Sequence, residues 1–382
     1  MIISAWKRNH RWMLATVLTL GLALPLVLGP AVAEQALAQT GQPTPQPESP
    51  TGGEVPGQSL GSASDSDLWR AVREGVQGSV SIPDSSAGVL IQSEGDNWRA
   101  VRNGPLTVAG GWIILGFVGL VALFFLLRGR IKIEAGASGR TIERFNNVER
   151  FTHWLTATTF IVLALTGLNI LYGKHLLLPL LGPSIFASLT LAGKYAHNYL
   201  AFPFMLGVVL MFVLWVRHNL PNRYDMAWIA QGGGLFAKGV HPPSKKFNAG
   251  QKLIFWSVIL GGLALSLSGL ALLFPFTFAW WDATFSILSA IGVNLPTGLT
   301  AMEEMQLSQL WHGLVALIMI GIIIAHIYIG SLGMEGAFAA MGSGQVDENW
   351  AREHHNVWVA EIKGEPLPDI DSHGGGRPQP AE

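Results

Sequence analysis

Histidines inside apolar segments are the residues of this sequence whose type and spacing best suit the binding of a redox cofactor. His312 and His326 lie fourteen residues apart within the apolar stretch 311–331. On a helix with about 3.6 residues per turn and about 1.5 Å rise, that interval is nearly four turns, so both imidazoles share one face about 21 Å apart. Ionisable side chains are costly inside a membrane, so each marks a candidate functional site. The alternative is a structural histidine bonded to a neighbouring helix.

The composition indicates a helical membrane protein whose redox chemistry needs a bound cofactor. The chain has 382 residues, of which 49% are apolar and 13% charged, with a net charge of −1. This is typical of a polytopic membrane protein and gives no nucleic-acid-binding surface. Cysteine is absent. Its absence excludes disulfides, cysteine-ligated iron–sulfur clusters and thiol catalysis in this subunit, and leaves histidine as the obvious ligand type.

Five apolar segments are long enough to cross a hydrocarbon layer about 30 Å thick. They are residues 109–127, 154–173, 197–217, 253–275 and 311–331. Lysines and arginines cluster in the linker 128–150 and in the loop 218–252, whereas the loop 276–310 contains none. Since cationic loops stay in the cytoplasm, we predict a mature N-terminus in the periplasm and a C-terminus in the cytoplasm.

The flanking regions differ in composition from the apolar segments. Residues 1–33 have the charged start, apolar core and small-residue end of a signal peptide, with an uncleaved membrane helix as the alternative. Residues 34–108 form a predicted periplasmic extension, partly disordered because its first part is rich in Gln, Pro, Gly and Ser. Within it, Trp-Arg-Ala-Val-Arg occurs at 69–73 and again at 98–102, which favours either a docking element or two unrelated surface helices. The cytoplasmic tail, 336–382, is polar and is expected to fray.

Depth in the membrane sorts four histidines into two pairs. His153 begins the second segment at the cytoplasmic face, and His197 begins the third at the periplasmic face. The last segment runs inward from His312 to His326, so His197 pairs with His312 and His153 pairs with His326. Facing helices of a bundle hold b-type haem through an imidazole on each side of the iron, whereas zinc needs three or four ligands at one point. The sequence therefore predicts two haem b groups, one at each level.

The predicted fold is an all-α membrane protein. A di-haem cytochrome b four-helix transmembrane bundle occupies 151–335, and one additional N-terminal transmembrane helix occupies 109–127. Gly167 and Gly313 are candidate positions for close approach of a porphyrin, although glycine also serves helix packing alone. Six further histidines lie outside the apolar segments and are expected at the surface: His175, His218, His241, His354, His355 and His373.

Short motifs around these residues resemble the gamma subunit, a cytochrome b, of membrane-bound formate dehydrogenase. The resemblance covers about residues 140–362. It rests on Phe151-Thr152-His153-Trp154, Leu165-Thr166-Gly167, Tyr195-Ala196-His197, Arg217-His218-Asn219-Leu220-Pro221, Phe247-Asn248-Ala249-Gly250-Gln251-Lys252 and Trp311-His312-Gly313. The Asn-Ala-Gly-Gln-Lys run is the most specific of these, since histidine spacing alone would not separate this family from hydrogenase cytochromes b.

The resemblance implies the ligand pairs that depth gives, with His197 and His312 on a periplasmic haem iron and His153 and His326 on a cytoplasmic one. It also implies a quinone pocket beside the cytoplasmic haem. The corresponding residues are Asn248, Gly250, Gln251 and His326. Amide side chains and an imidazole edge can hydrogen-bond a quinone carbonyl. Helix capping is the alternative role of Asn248 and Gln251.

The resemblance further implies a membrane cytochrome b subunit of a formate dehydrogenase complex in the bacterial inner membrane. It would take electrons from an iron–sulfur (beta) subunit, supplied by a molybdenum or tungsten catalytic (alpha) subunit in the periplasm, and reduce quinone near the cytoplasmic face. The chain alone is not expected to oxidise formate. The alternatives are the cytochrome b of a nickel–iron hydrogenase or other periplasmic oxidoreductase, and a haem-free membrane anchor. A transporter is disfavoured because the helices show no internal symmetry.

Overall fold

The structure is a computed structural model that describes residues 95–368. The predicted signal peptide, the predicted disordered part of the extension and the first Trp-Arg-Ala-Val-Arg copy lie outside the described residues. So do His373 and the rest of the chain from residue 369.

Eleven helices and two short strands make up the described part of the chain. In order they are α1 (Gly95–Val101), α2 (Thr107–Arg128), β1 (Thr141–Glu143), α3 (Asn147–Leu176), α4 (Leu178–Trp215), α5 (Arg223–Ala230), α6 (Ala249–Leu273), α7 (Trp280–Ala290), α8 (Ala301–Tyr328), α9 (Ala339–Gly342), β2 (Gln345–Asp347), α10 (Glu348–His354) and α11 (Asn356–Lys363). A π-helical turn, Arg102–Leu106, joins α1 to α2, and another, Ile329–Gly333, follows α8.

Within residues 95–368, five helices are long and apolar enough to span a membrane, which confirms the predicted all-α membrane fold. They are Asn97–Arg128, Asn147–Leu176, Leu178–His218, Ala249–Leu273 and Ala301–Gly333. Each contains one of the five predicted segments, except that the fourth predicted segment runs two residues past its helix. Most of the helices are longer than those segments because polar and capping residues at their ends continue the backbone hydrogen bonding outside the apolar core.

His197 lies inside a helix, although we predicted it at the start of the third segment. Helix α4 begins at Leu178, and its backbone turns at Gly182, which has φ of 73° and is followed by Pro183. Only glycine adopts that conformation readily, and proline is well tolerated in the first turn of the helix that follows it. Helix α4 therefore starts before residue 197, where the third apolar segment was predicted to begin.

Reciprocal capping starts three of the spanning helices. The pairs are Asn146 with Glu149 at α3, Asn248 with Gln251 at α6, and Thr300 with Glu303 at α8. In each pair the first side chain accepts a hydrogen bond from the third backbone N–H of the helix, and the third side chain accepts one from the capping residue. These bonds fix the start of three elements that carry candidate site residues.

The additional helix α2 packs along α8, the helix that carries two of the four candidate histidines. Gly110 of α2 lies against Leu317, and Gly321 of α8 lies against Phe117. Gly313 lies against Leu106 in the turn before α2, where a β-carbon would be 3.2 Å from Leu106 Cδ2. Gly313 therefore has the helix-packing contact that we gave as the alternative to porphyrin approach.

The linker and tail form an ordered unit that we call the cap, residues 131–145 and 334–364. Strands β1 and β2 pair antiparallel, with Ile142 opposite Val346. The expectation that the tail frays is wrong for this part of it, because Val346, Ala351 and Val357 are fully buried. A carboxylate of the tail, that of Glu353, accepts hydrogen bonds from two linker N–H groups. Apolar burial and these long-range bonds hold the cap together.

Candidate functional site

The imidazoles of His197 and His312 face each other between α4 and α8. Their ring centres are 6.2 Å apart, with an angle of 62° between the ring planes. We call them the outer pair, after their predicted side of the membrane. The structure therefore brings together two residues that are 115 positions apart in the sequence.

Both imidazoles of the outer pair contact a side-chain hydroxyl. Nδ1 of His197 is 2.8 Å from Oγ1 of Thr166 on α3. Nδ1 of His312 is 2.9 Å from Oγ of Ser268 on α6. Each hydroxyl is also 2.7 Å from a carbonyl oxygen one turn earlier in its own helix, that of Val162 for Thr166 and that of Ala264 for Ser268.

These contacts favour one tautomer of each imidazole. A hydroxyl has one hydrogen and a carbonyl oxygen can only accept, so Thr166 and Ser268 satisfy both contacts when they donate to the carbonyl oxygen one turn earlier. Each hydroxyl oxygen must then accept a hydrogen bond from Nδ1–H of its histidine. The lone pair of Nε2 is consequently available on both His197 and His312 for a metal ion.

Glycines lie against the same two rings. A β-carbon on Gly167 would be 3.5 Å from Cε1 of His197, and one on Gly269 would be 3.4 Å from Cε1 of His312. The sequence prediction placed Gly167 at the level of the outer pair, and the structure places it there. Gly269, Thr166 and Ser268 were not identified as site residues, because only the three-dimensional packing shows which face of α3 or α6 meets an imidazole.

His153 and His326 form the second pair, between α3 and α8. Their ring centres are 6.3 Å apart at an interplanar angle of 56°. We call them the inner pair. The ring of Trp154 stands edge-on to that of His153 at 5.2 Å. Unlike the outer histidines, His153 has a buried Nδ1 with no hydrogen-bond partner among residues 95–368.

The separations in both pairs are those at which two imidazoles would hold one iron atom between them. Two metal–nitrogen bonds of about 2 Å, each extended by about 1 Å from nitrogen to ring centre, place two such imidazole centres about 6 Å apart. The two pairs lie at two levels of α8, so the described residues fit haem at each level.

Asn248 and Gln251 occupy the start of α6, where they form its capping box. Asn248 Oδ1 accepts from Gln251 N at 2.9 Å, and Gln251 Oε1 accepts from Asn248 N at 3.2 Å. Gly250, between them, lies under the ring of Trp228. None of the hydrogen bonds described for residues 95–368 joins Asn248, Gly250 or Gln251 to His326. The capping role proposed as an alternative is therefore present.

Arg144 holds the side chain of Gln251 from the cap. Its Nη2 donates to Gln251 Oε1 at 3.2 Å and to the carbonyl oxygen of Lys246 at 2.7 Å. The Arg144 side chain is 4% exposed, and its guanidinium lies over the ring of Trp350. Burial lowers the pKa of Arg144 to about 9, an effect that the charge of Glu149 opposes. The guanidinium is thus a buried cation at neutral pH.

The remaining histidines divide between the surface and the cap. His175 and His218 are exposed, as expected. The expectation of a surface position is wrong for His355, which is 1% exposed and lies 2.8 Å by Nδ1 from the carbonyl oxygen of Lys245. Burial lowers the pKa of His354 to about 3 and that of His355 well below its ordinary value. Both are neutral structural residues of the cap.

Comparison with known sequences decides the family. The sequence model of the prokaryotic cytochrome b561 family matches residues 144–344, just over half of the chain. The chain belongs to the prokaryotic cytochrome b561 family. The match covers α3, α4, α6 and α8, including all four histidines of the two pairs.

Curated relatives of this cytochrome b561 family member carry a more specific name. The formate dehydrogenase cytochrome b556(fdo) subunit of Escherichia coli K12 is 27% identical over 224 residues, 58% of this chain and 94% of the relative. The nitrate-inducible formate dehydrogenase cytochrome b556(Fdn) subunit of the same strain is 24% identical over 59% of this chain and 94% of the relative. The formate dehydrogenase cytochrome b556 subunit of Haemophilus influenzae is 25% identical over 60% and 87%. The resemblance to formate dehydrogenase cytochrome b subunits is confirmed.

Proposed function

We propose that this chain is the membrane cytochrome b subunit of a formate dehydrogenase complex. It takes electrons from a periplasmic iron–sulfur subunit and delivers them through two b-type haems to quinone near the cytoplasmic face. The single observation that carries the proposal is the presence of two imidazole pairs, with ring centres 6.2 and 6.3 Å apart, at two levels of one membrane helix. The names of the relatives support the formate dehydrogenase assignment.

The proposed ligands are Nε2 atoms of His197 and His312 for the outer iron, with His153 and His326 for the inner iron. Haem b, when bound, supplies reversible one-electron transfer at its iron. The chain's own contribution is to hold each imidazole in position. At the outer level the hydroxyls of Thr166 and Ser268 fix the tautomer, and glycines leave room beside the rings.

The proposed quinone pocket lies at the start of α6, near the cap. Arg144 Nη2 and Asn248 N can only donate hydrogen bonds, and both donate to the same atom of Gln251. That atom must be the carbonyl oxygen of the amide, so the NH₂ group points elsewhere. It is then available as a donor to a quinone carbonyl, while the capping box keeps Gln251 in place.

The proposed orientation places the cap and the inner pair on the cytoplasmic side. Positive residues of the linker and of the loop before α6 support it, since cationic segments remain in the cytoplasm. Protons for quinone would then come from the cytoplasm, whereas the electrons come from the periplasmic side. The chain contains no cysteine, so the iron–sulfur clusters and formate oxidation belong to partner subunits.

Alanine variants of the four histidines test the proposal. His153→Ala and His326→Ala should each lose the inner haem and keep the outer one, whereas His197→Ala and His312→Ala should lose the outer haem. His218→Ala is the matched control, because His218 is exposed, and it should keep both haems. The measurement is haem content per polypeptide with the visible spectrum of the purified complex. Two variants of one predicted pair that lose different haems would refute the pairing.

The same preparations separate the two redox alternatives. Formate should reduce the haems in the complex with its native partners. Co-purification of a nickel–iron hydrogenase, with haem reduction by hydrogen and none by formate, would replace the formate assignment by the hydrogenase one.

A further inference from the structure

His153 of the inner pair differs from both outer histidines in what its Nδ1 atom contacts. Nδ1 of each outer imidazole lies within hydrogen-bond distance of a hydroxyl oxygen, that of Thr166 for His197 and that of Ser268 for His312. By contrast, Nδ1 of His153 in the inner pair is buried without a partner among the described residues. The residue type does not distinguish the outer ligands from the inner ones, since all four proposed ligands are histidine.

An accepted hydrogen bond at Nδ1 changes the electronic character of an imidazole ligand. When a neighbouring group accepts the Nδ1 proton, electron density on the ring rises and Nε2 becomes a more basic ligand. A more basic ligand stabilises ferric over ferrous iron. The midpoint potential of an iron held by two such imidazoles is therefore lower than that of the same iron held by imidazoles without this bond.

The two hydroxyls are also fixed as acceptors. Each lies on a helix one turn beyond a carbonyl oxygen to which it donates, at 2.7 Å in both cases. A carbonyl oxygen can only accept, so the hydroxyl satisfies both of its contacts when it donates to the carbonyl and accepts from the imidazole. Thr166 comes from α3 and Ser268 from α6, so two separate helices supply the same contact to opposite sides of one site.

We propose that Thr166 and Ser268 are positioning residues that fix the outer imidazoles as Nδ1–H tautomers and hold the potential of the outer haem below that of the inner haem. The inference rests on the proposed function, because it presupposes a haem at each level. The difference in potential would give electron transfer a direction. Electrons that enter on the outer side move to a centre of higher potential on the inner side.

Removal of each hydroxyl in the intact complex tests the inference. Thr166→Val and Ser268→Ala keep the approximate volume of each side chain and remove the hydroxyl that contacts Nδ1. Spectroelectrochemical titration should show an upward shift of the outer haem potential in each variant, a larger shift in the double variant and no shift of the inner haem. Thr166→Ser, which keeps the hydroxyl, should restore the wild-type potential.

Matched controls come from the same two helices. Thr159 on α3 donates to the carbonyl oxygen of Leu155 at 2.6 Å, and Ser266 on α6 donates to that of Gly262 at 2.6 Å. No imidazole is described beside either hydroxyl. Thr159→Val and Ser266→Ala should leave both haem potentials unchanged.

The outcomes separate this inference from the function on which it rests. Two haems per chain with unchanged potentials in both Thr166→Val and Ser268→Ala would overturn the inference and leave the haem assignment intact. A shift of the inner potential instead of the outer one would overturn it as well. If one variant loses haem, the other variant and Thr166→Ser still provide the potential measurement. A wild-type complex without b-type haem would overturn the proposed function itself.

Discussion

The guanidinium of Arg144 and the side-chain amide of Gln251 form a hydrogen bond of 3.2 Å that joins the cap to the first turn of α6. The bond links a buried cation to a residue of the proposed quinone pocket. Because Arg144 only donates, it fixes the amide of Gln251 with the oxygen towards the cap. The orientation of a residue in the proposed pocket therefore depends on residues of the linker.

Replacement of Arg144 should weaken quinone binding while leaving haem content intact. Arg144→Met removes a charged hydrogen bond, and we expect the KM for quinone to rise by roughly tenfold, equivalent to about 1.4 kcal/mol. The measurement is steady-state quinone reduction by the purified complex. Arg150→Met is the control, since Arg150 also binds backbone carbonyls, those of Met341 and Gly342, but no hydrogen bond joins it to Gln251 among the described residues.

A double-mutant cycle distinguishes positioning from general stabilisation in that experiment. If Arg144 acts through Gln251, Arg144→Met adds little to the KM of Gln251→Ala, whereas independent effects would add. Additive changes would contradict the role given to Arg144. An unchanged KM in Gln251→Ala would remove Gln251 from the quinone pocket.

The packing of α2 on α8 should be sensitive to side-chain size at one glycine and insensitive at another. Gly110 lies against Leu317 and the hydroxyl of Tyr172, whereas a β-carbon at Gly116 of the same helix would have no neighbouring atom of residues 95–368 within 4 Å. We expect Gly110→Val to destabilise the chain by about 1–3 kcal/mol because the helices must separate. Gly116→Val should have no such effect. Thermal unfolding in detergent measures both, and equal loss would contradict the packing described.

Acidification should loosen the cap. Burial lowers the pKa of His354 from 6.5 to about 3, so between these values the unfolded segment binds a proton that the folded one does not. The stabilising contribution of neutral His354 is therefore fully present above about pH 6.5 and is lost as the pH falls towards 3. His355, with a pKa shifted in the same direction, adds to the effect.

Hydrogen exchange provides the measurement for the cap. After correction for intrinsic rates, the amide hydrogens of residues 345–364 should exchange faster at pH 5 than at pH 7. His354→Gln should reduce this difference in exchange rate. Amides in the centre of α3 serve as the internal reference. Equal protection of the cap at both pH values would contradict this prediction.

The spanning helices and the residues of the two pairs could be predicted from the sequence because both follow from local patterns. Apolar length defines the helices, and depth along them brings His197 to the level of His312. The hydroxyls of Thr166 and Ser268 could not be predicted, since serine and threonine are common in membrane helices and only packing shows which of them meet an imidazole. The cap could not be predicted because its core consists of isolated apolar residues, such as Ile131 in the linker and Val346 in the tail. These two segments are about 200 residues apart in the chain, so no local pattern connects them.

A haem determination on the purified complex, combined with a reduced-minus-oxidised visible spectrum, tests whether this chain carries electrons through two haems. We predict two b-type haems per chain, both reduced by formate through the partner subunits and both reoxidised by added quinone. Absence of a b-type band, or a single haem per chain that is lost in variants of both histidine pairs, would contradict a haem at each level of α8.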